Sequence, residues 1–523
     1  MPPSLAREVA GTLAEWAAGD KLARLWRGDA TLWTGRDEDR WVGWLRLVEQ
    51  QRARREEFGR VAEDARLAGF GHAVVLGMGG SSLAPDVFAR TFGRVPGHPV
   101  LRVLDSTVPA AIRSLEAEID LRRTLFLAAS KSGTTVEPNA LLDHFLDRTR
   151  SLLGGQAPTR FVAITDPGTE LEKRAQREGF RRIFHGVPSV GGRYSALSHF
   201  GMVPAAAMGV PVPRLLDRAQ LMADACADDR AGSANPGLEL GVALGAAARD
   251  GVDKLTLVAS PAIAAIADWI EQLVAESLGK RGRGIVPAVG EPVPSPRTAG
   301  DDRLVVHVRL ASAPSPEQDR EVAALERAGV PVVRIEVADP VDLGQEFFRW
   351  EIATAVAGSV LGVNPFDQPD VEAAKEAARR VTAAVEESGT LPPESPVLEG
   401  DGLLLFADPE NAREIAAGAR EATPAGWLRA HLARLGKGDY LAVNAFLDPR
   451  PDTVALLQEI RAATAGARVA TTLGFGPRYL HSTGQLQKGG PATGLFLEIT
   501  ADEGAPMPIP GRRLGFGELC RAQ

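Results

Sequence analysis

From His72 onward, short β-rich runs return at helix-sized intervals. "AVVLG", "VLRVLD", "TLFLAAS" and "RFVAIT" follow one another, each trailed by a helical stretch or a turn. Strands that alternate with helices in this way predict an α/β fold built on a doubly wound parallel sheet, with ligands at the carboxyl ends of the strands. The pattern then repeats: "KLTLVAS", a helix through Glu276, "RLVVHVRL" and "PVVRIEV" form a second α/β region. Beyond the linker "ESGTLPPESPVLEGDG" come "LLLFA", "YLAVNAF", "RVATTLGF" and "GLFLEIT", with helices between the first three. The first seventy or so residues instead space apolar and charged positions at a helical period. The expected order is a helical segment over 1–45, one lobe over 46–225, a second over 226–390 and an additional α/β segment over 391–523. "MGVPVPRLL" and residues 228–237 mark the boundary between the lobes.

Composition narrows the partners. A net charge of -8 over 523 residues argues against nucleic acid, so any anion site has to be assembled locally from backbone N–H groups and a few side chains. Cys226 and Cys520 are too few for a disulfide framework. Arg7 and Glu8 interrupt the first apolar residues, so no secretory leader is expected and the chain reads as cytoplasmic. The longest apolar run, 352–363, suits a buried helix and is too short for a bilayer, so no membrane partner is expected.

The loop after the first strand, "GMGGSS" at 77–82, offers a glycine-rich turn in front of a helix N-terminus, and an anion suits such a place. The dinucleotide fingerprint asks for a third glycine where Ser82 stands, although Asp105 sits where a ribose ligand would. A Walker A loop is excluded, since no Gly-Lys-Ser/Thr follows. The loop after "TLFLAA" holds Ser130, Lys131, Ser132, Thr134 and Thr135 at another helix N-terminus. Hydroxyls there suit the three terminal oxygens of a phosphomonoester, with the helix dipole balancing charge. Serines and threonines also cap helices routinely. Two such loops on one predicted sheet favour a sugar-phosphate cradle formed by Gly80, Ser81, Ser130, Lys131, Ser132 and Thr135.

Taken together, "GMGGSSLAP", "SKSGTTVEP" and "VGGRYSALSHFG" resemble the signature of the phosphoglucose isomerase family, built on the sugar-isomerase fold. The likeness runs in order from about Val74 to Lys375. The whole chain looks most like the isomerase half of fused transaldolase–isomerase proteins, with no room for a transaldolase barrel. The resemblance implies a metal-free and cofactor-free interconversion of D-glucose 6-phosphate and D-fructose 6-phosphate through a cis-enediol. It also implies two lobes facing each other across the substrate, and related enzymes are commonly homodimers.

The resemblance also carries roles. "ESLGK" matches the family's E-S-x-G-K, whose glutamate, here Glu276, shuttles the proton between C2 and C1. Arg193, behind two glycines in "VGGRYS", corresponds to the arginine that steadies the enediolate. "DQPDVEAAK" supplies Gln368, which would contact the phosphate, and Lys375, which would assist ring opening; seven positions apart, they share a helix face. His481, in "YLHSTGQLQKGG", resembles the ring-opening histidine, and imidazole both gives and takes a proton near neutrality. It stands 106 residues after Lys375 (481 − 375), whereas in most of the family it precedes that lysine. Either the C-terminal segment is transposed and returns the loop to the same site, or the likeness is accidental. Gln487 stands where the fused relatives tend to carry a second histidine. Three other readings remain at this point: a non-catalytic sugar-phosphate regulator of the same fold, an isomerase that also accepts mannose phosphates, and a dinucleotide-dependent enzyme.

Overall fold

The computed structural model describes residues 1–227, 234–388, 394–464, 466, 468–502 and 504–523. Residues 228–233 of the expected lobe boundary and 389–393 of the expected linker lie outside the described residues.

Five strands make the first sheet: β1 (His72–Leu76), β2 (Val100–Leu104), β3 (Thr124–Ala129), β4 (Phe161–Thr165) and β5 (Arg182–His185). They run parallel in the order β2-β1-β3-β4-β5, with His72 opposite both Val100 and Thr124. Ala73 and Val75 join one buried core while Val74 and Leu76 join another, so β1 is covered on both faces. Burial on both faces is why these runs read as continuous apolar stretches instead of alternating ones. The chain leaves β1 toward β2 and then returns to β3 on its other side. The switch point therefore lies between β1 and β3, and there the two hydroxyl-rich loops emerge side by side.

The second sheet has β6 (Lys254–Ala259), β7 (Val286–Val289), β8 (Arg303–Leu310) and β9 (Val332–Val337), parallel in the order β7-β6-β8-β9. Within the first two sheets, two strands were not expected from the sequence: β5 and β7 are four residues each, too short for a periodic signal. Seven of the eight residues of β8 are buried, so this strand does not alternate. Of the four C-terminal runs, "LLLFA" contributes only Leu403–Leu405 (β11), paired antiparallel with β10 (Leu398–Gly400). The other three, β12 (Tyr440–Phe446), β13 (Ala470–Phe475) and β14 (Gly494–Thr500), form a parallel sheet in the order β13-β12-β14.

This third sheet is fastened to the second through buried polar groups. Arg461 Nη2 donates to Val289 O at 2.8 Å and Thr471 O at 2.7 Å, and Arg303 Nη2 donates to Val469 O at 2.8 Å. Tyr440, Ala442 and Ala470 pack against Val286, Ala288 and Ala275, the neighbour of Glu276. The chain then crosses to the first sheet, where Ile509, Leu514, Phe516 and Leu519 enter its core.

The N-terminal residues form helices Pro3–Ala18 and Lys21–Trp26. The run 352–363 lies largely in the buried helix Leu343–Leu361. Among the described residues, no helix is long and apolar enough to cross a membrane.

Helices Pro236–Arg249 and Leu343–Leu361 meet along Gly237, Gly241 and Gly245, one glycine per turn. A Cβ on Gly241 would lie 2.5 Å from Ala353 O and 2.6 Å from Val356 Cβ. Gly59, exposed in helix Arg55–Leu67, faces open space. Gly59→Ala is therefore expected to stabilise by roughly 0.5–1 kcal/mol through helix propensity. Gly241→Ala is expected to destabilise by about 1–3 kcal/mol through overpacking. Denaturant midpoints that move in the same direction for both variants contradict this packing account.

Candidate functional site

The loop after β1 is pressed into the space between the two main sheets. Gly79 takes φ +55°, and a Cβ on it would lie 2.9 Å from both Gln272 Nε2 and His481 O. Gly80 lies tighter still, since an added Cβ would fall 2.1 Å from Gly192 O, beside Arg193. These glycines thus serve close approach between chain segments, which only a residue without Cβ allows. Ser81 is buried; Ser82 donates to Gly79 O and to Asp105 Oδ2, both at 3.0 Å. Asp105 also faces Arg478 at 3.8 Å, so the residue that stood in the ribose position is already engaged.

The loop after β3 opens the long helix Val136–Leu153, whose N-cap Thr135 makes no side-chain cap. Ser130 Oγ donates to Thr135 Oγ1 at 3.3 Å, and Thr134 Oγ1 donates to Ser132 Oγ at 3.1 Å. Within the described chain, the N–H groups of Gly133, Thr135 and Val136 have no hydrogen-bond acceptor. Orphan donors at the positive end of a helix suit an anion. Lys131 does not join them. Its ammonium pairs with Asp166 and donates to Pro188 O at 3.1 Å. Burial holds the Asp166 carboxyl above its ordinary range despite that lysine.

Arg193 and Glu276 are brought together, both buried. Arg193 Nη1 donates to Glu276 Oε1 and to Gln368 Oε1, each at 3.0 Å. Its Nε donates to Ser277 Oγ at 2.8 Å, and Nη2 to Pro365 O at 2.8 Å and Asp367 O at 2.9 Å. The lysine of "ESLGK", Lys280, closes the same knot by donating to Asp367 Oδ1 at 2.7 Å and to the Asn364 and Asp367 carbonyls. Burial, and then the charge of Arg193, push Lys280 down to about 7 against the pull of Asp367.

Gln272 was not foreseen, although it lies four residues before Glu276 and so on the same helix face. Its Nε2 donates to Glu276 Oε2 at 3.0 Å and to His481 O at 2.8 Å. The C-terminal loop therefore reaches the cleft within its own chain. His481 Nε2 lies 2.9 Å from Glu137 Oε1. Glu137 was also missed, though it sits inside the quoted "SKSGTTVEP"; an acid in the first turn of an expected helix was the available signal. Burial works against its charge, but the facing His481 outweighs that and holds the carboxyl below its ordinary range, with Lys375 adding to the effect. Lys375 itself is 33% exposed and donates to Glu372 at 2.9 Å. Gln487 bonds with Asn444 and Thr483 in the C-terminal segment.

A family model described as phosphoglucose isomerase matches residues 65–283. A glucose-6-phosphate isomerase of Symbiobacterium thermophilum is 32% identical over 388 residues, covering 64% of this chain and 85% of the relative. The chain belongs to the phosphoglucose isomerase family. A glucose-6-phosphate isomerase of Rubrobacter xylanophilus, another relative in that family, is 31% identical over 387 residues, covering 64% of this chain and 87% of its own. Among solved structures, a hypothetical protein of Thermus thermophilus superposes with a TM-score of 0.62 at 26% identity, covering 72% of this chain and 98% of that one. A glucose-6-phosphate isomerase from Chlamydia trachomatis shares the fold with a TM-score of 0.54 at 22% identity, covering 64% of this chain and 74% of its own.

For this phosphoglucose isomerase family member, the tightest contact in the cleft makes a test. Gly80→Ala must push the loop after β1 away from Gly192 and Arg193. It is expected to lower kcat/KM in an isomerase assay by roughly 100-fold, the loss that about 1 Å of misplacement causes. Activity within twofold of the parent chain shows that the loop contact does not position Arg193.

Proposed function

We propose that the chain is a glucose-6-phosphate isomerase, interconverting D-glucose 6-phosphate and D-fructose 6-phosphate. The observation that carries this reading is the Gln272 amide, which ties the Glu276 carboxylate to the His481 backbone. It brings a proton-shuttling base and a ring-opening imidazole to one cleft. In this reading the lobe over 46–225 holds the phosphate. The unpaired amides at 133, 135 and 136 and the hydroxyls of Ser130, Ser132 and Thr135 receive its oxygens, supported by Ser81. Lys131, held by Asp166 and Pro188 O, stays outside this cradle. The lobe over 226–390 brings Glu276, Gln368 and Lys375, and the segment over 391–523 brings His481.

The chemistry follows from the geometry. His481, paired with Glu137, takes the O1 proton of cyclic glucose 6-phosphate and returns one to O5, so that the C1–O5 bond breaks as the C1 carbonyl forms; with fructose 6-phosphate the same exchange runs between O2 and O5 and frees the C2 carbonyl. Lys375 assists by its charge. Glu276 then removes the C2 proton, giving the cis-enediolate, and returns it to C1 once a proton has passed from O2 to O1 through the cis-enediol. Arg193 lies against Glu276 and cannot deprotonate, so it steadies the charge that develops on the sugar oxygens. Gln368, bonded to Arg193, fixes the guanidinium from the phosphate side. No step calls on a metal or cofactor.

In this reading the whole chain corresponds to the isomerase half of fused transaldolase–isomerase proteins. Phosphorylated hexoses are cytoplasmic metabolites, so the reading places the enzyme there. A homodimer is the family expectation, but no second copy is needed to bring His481 to Glu137.

Two variants test the roles. Glu276→Gln should retain binding of fructose 6-phosphate while turnover falls by roughly 10²–10⁴, the usual contribution of a general base; near-parental turnover rejects it. His481→Ala should lose activity on fructose 6-phosphate but keep it on 5-deoxy-D-fructose 6-phosphate, which has no hydroxyl able to close a five- or six-membered ring. Equal losses on both substrates reject His481 as the ring opener.

A further inference from the structure

Glu137 receives a second donor on the oxygen that faces His481. Gln523 Nε2 lies 2.6 Å from Glu137 Oε1, while His481 Nε2 approaches the same atom at 2.9 Å. The other end of the Gln523 amide is also taken, because its Oε1 accepts from Thr107 Oγ1 at 2.6 Å. Thr107 is fully buried just beyond β2, and Glu137 is only 6% exposed. The short helix Phe516–Ala522 delivers Gln523 to this point, with Phe516 and Leu519 buried in the core of the first sheet. Both ends of the amide are therefore used, and its backbone is anchored by apolar burial.

We propose that Gln523 is a positioning residue for ring opening, acting through Glu137 on His481. The proposal rests on the functional reading above. A glutamate carboxylate rotates freely about its last torsion, and a single imidazole donor does not stop it. A second N–H on the same oxygen, itself pinned by Thr107, fixes that rotation. The ionised carboxylate accepts from Nε2–H, which leaves Nδ1 as the ring nitrogen with the lone pair. Nδ1 has no hydrogen-bond partner within the described chain, so it is the atom left to face the sugar. It accepts the proton of the anomeric hydroxyl, O1 in glucose 6-phosphate and O2 in fructose 6-phosphate, and the imidazolium then gives a proton to O5 as the bond from O5 to the anomeric carbon breaks. Proton count and charge balance over the two transfers. Glu276 takes no part in this step, so the effect of Gln523 is confined to substrates that have a ring to open.

The full chain is assayed on fructose 6-phosphate and on 5-deoxy-D-fructose 6-phosphate. Gln523→Ala is expected to lower kcat on fructose 6-phosphate about tenfold, a fraction of a full acid–base contribution, with KM nearly unchanged and the open-chain substrate turned over as by the parent. Gln523→Glu puts a carboxylate beside Glu137. Two such groups share a proton, so the acid limb of the fructose 6-phosphate pH profile should move up by about one unit while the open-chain profile stays put. Thr107→Val frees the far end of the amide, leaves Glu137 untouched, and should give a smaller loss with the same substrate selectivity; it carries the test if Gln523→Ala unfolds. Equal losses on both substrates, or none on either, overturn the proposal. A parent chain that isomerises neither substrate overturns the functional reading instead.

Discussion

Arg193 is 3% exposed, and its guanidinium is shared among Glu276, Ser277, Pro365, Asp367 and Gln368. A charge taken this far from water is tolerated only when its protons are all matched and a countercharge is near. Glu276 supplies the countercharge, and Lys280 with Asp367 forms a second pair next to it. Removing one partner of such a pair costs about 3–5 kcal/mol because it strands the other. The base of the proposed reaction is thus part of what keeps the arginine in place. Its position is fixed by the fold before any sugar arrives.

The C-terminal segment is joined to this knot by neutral amides. Gln485 Oε1 accepts from the backbone of Asp370 at 3.0 Å and Val371 at 3.2 Å, while Nε2 donates to Gly279 O at 3.0 Å and Asp370 Oδ2 at 2.5 Å. One side chain therefore staples the end of the Glu276 helix to the start of the Lys375 helix. Gln272 does the same between Glu276 and the His481 backbone. An amide offers donor and acceptor together, so it joins two chains without adding a charge to a crowded cleft.

Much of this was legible from residue order. The strands of both large sheets that exceed four residues stand out as apolar runs, and the loops at the switch point stand out by their hydroxyls. β5 and β7 were silent because four residues carry no period. "LLLFA" misled because its apolarity marks an exposed hairpin, with Leu403 and Leu404 about half exposed. For the candidate site, motifs pointed to Arg193, Glu276, Gln368, Lys375 and His481, of which Arg193, Glu276 and Gln368 meet directly. Gln272, Glu137 and Lys280 reach partners 84 to 344 residues away, and no local pattern announces such partners. The pairing of Lys131 with Asp166 is hidden for the same reason.

The glycine seam between helices Pro236–Arg249 and Leu343–Leu361 bears on all of this. With backbone lying against side chain at each turn, the two helices have no room to slide. The segment that follows Leu361 turns directly into the carbonyls of Asn364, Pro365 and Asp367 that hold the two buried cations. The packing of that one helix pair thus sets the depth at which these carbonyls meet Arg193 and Lys280.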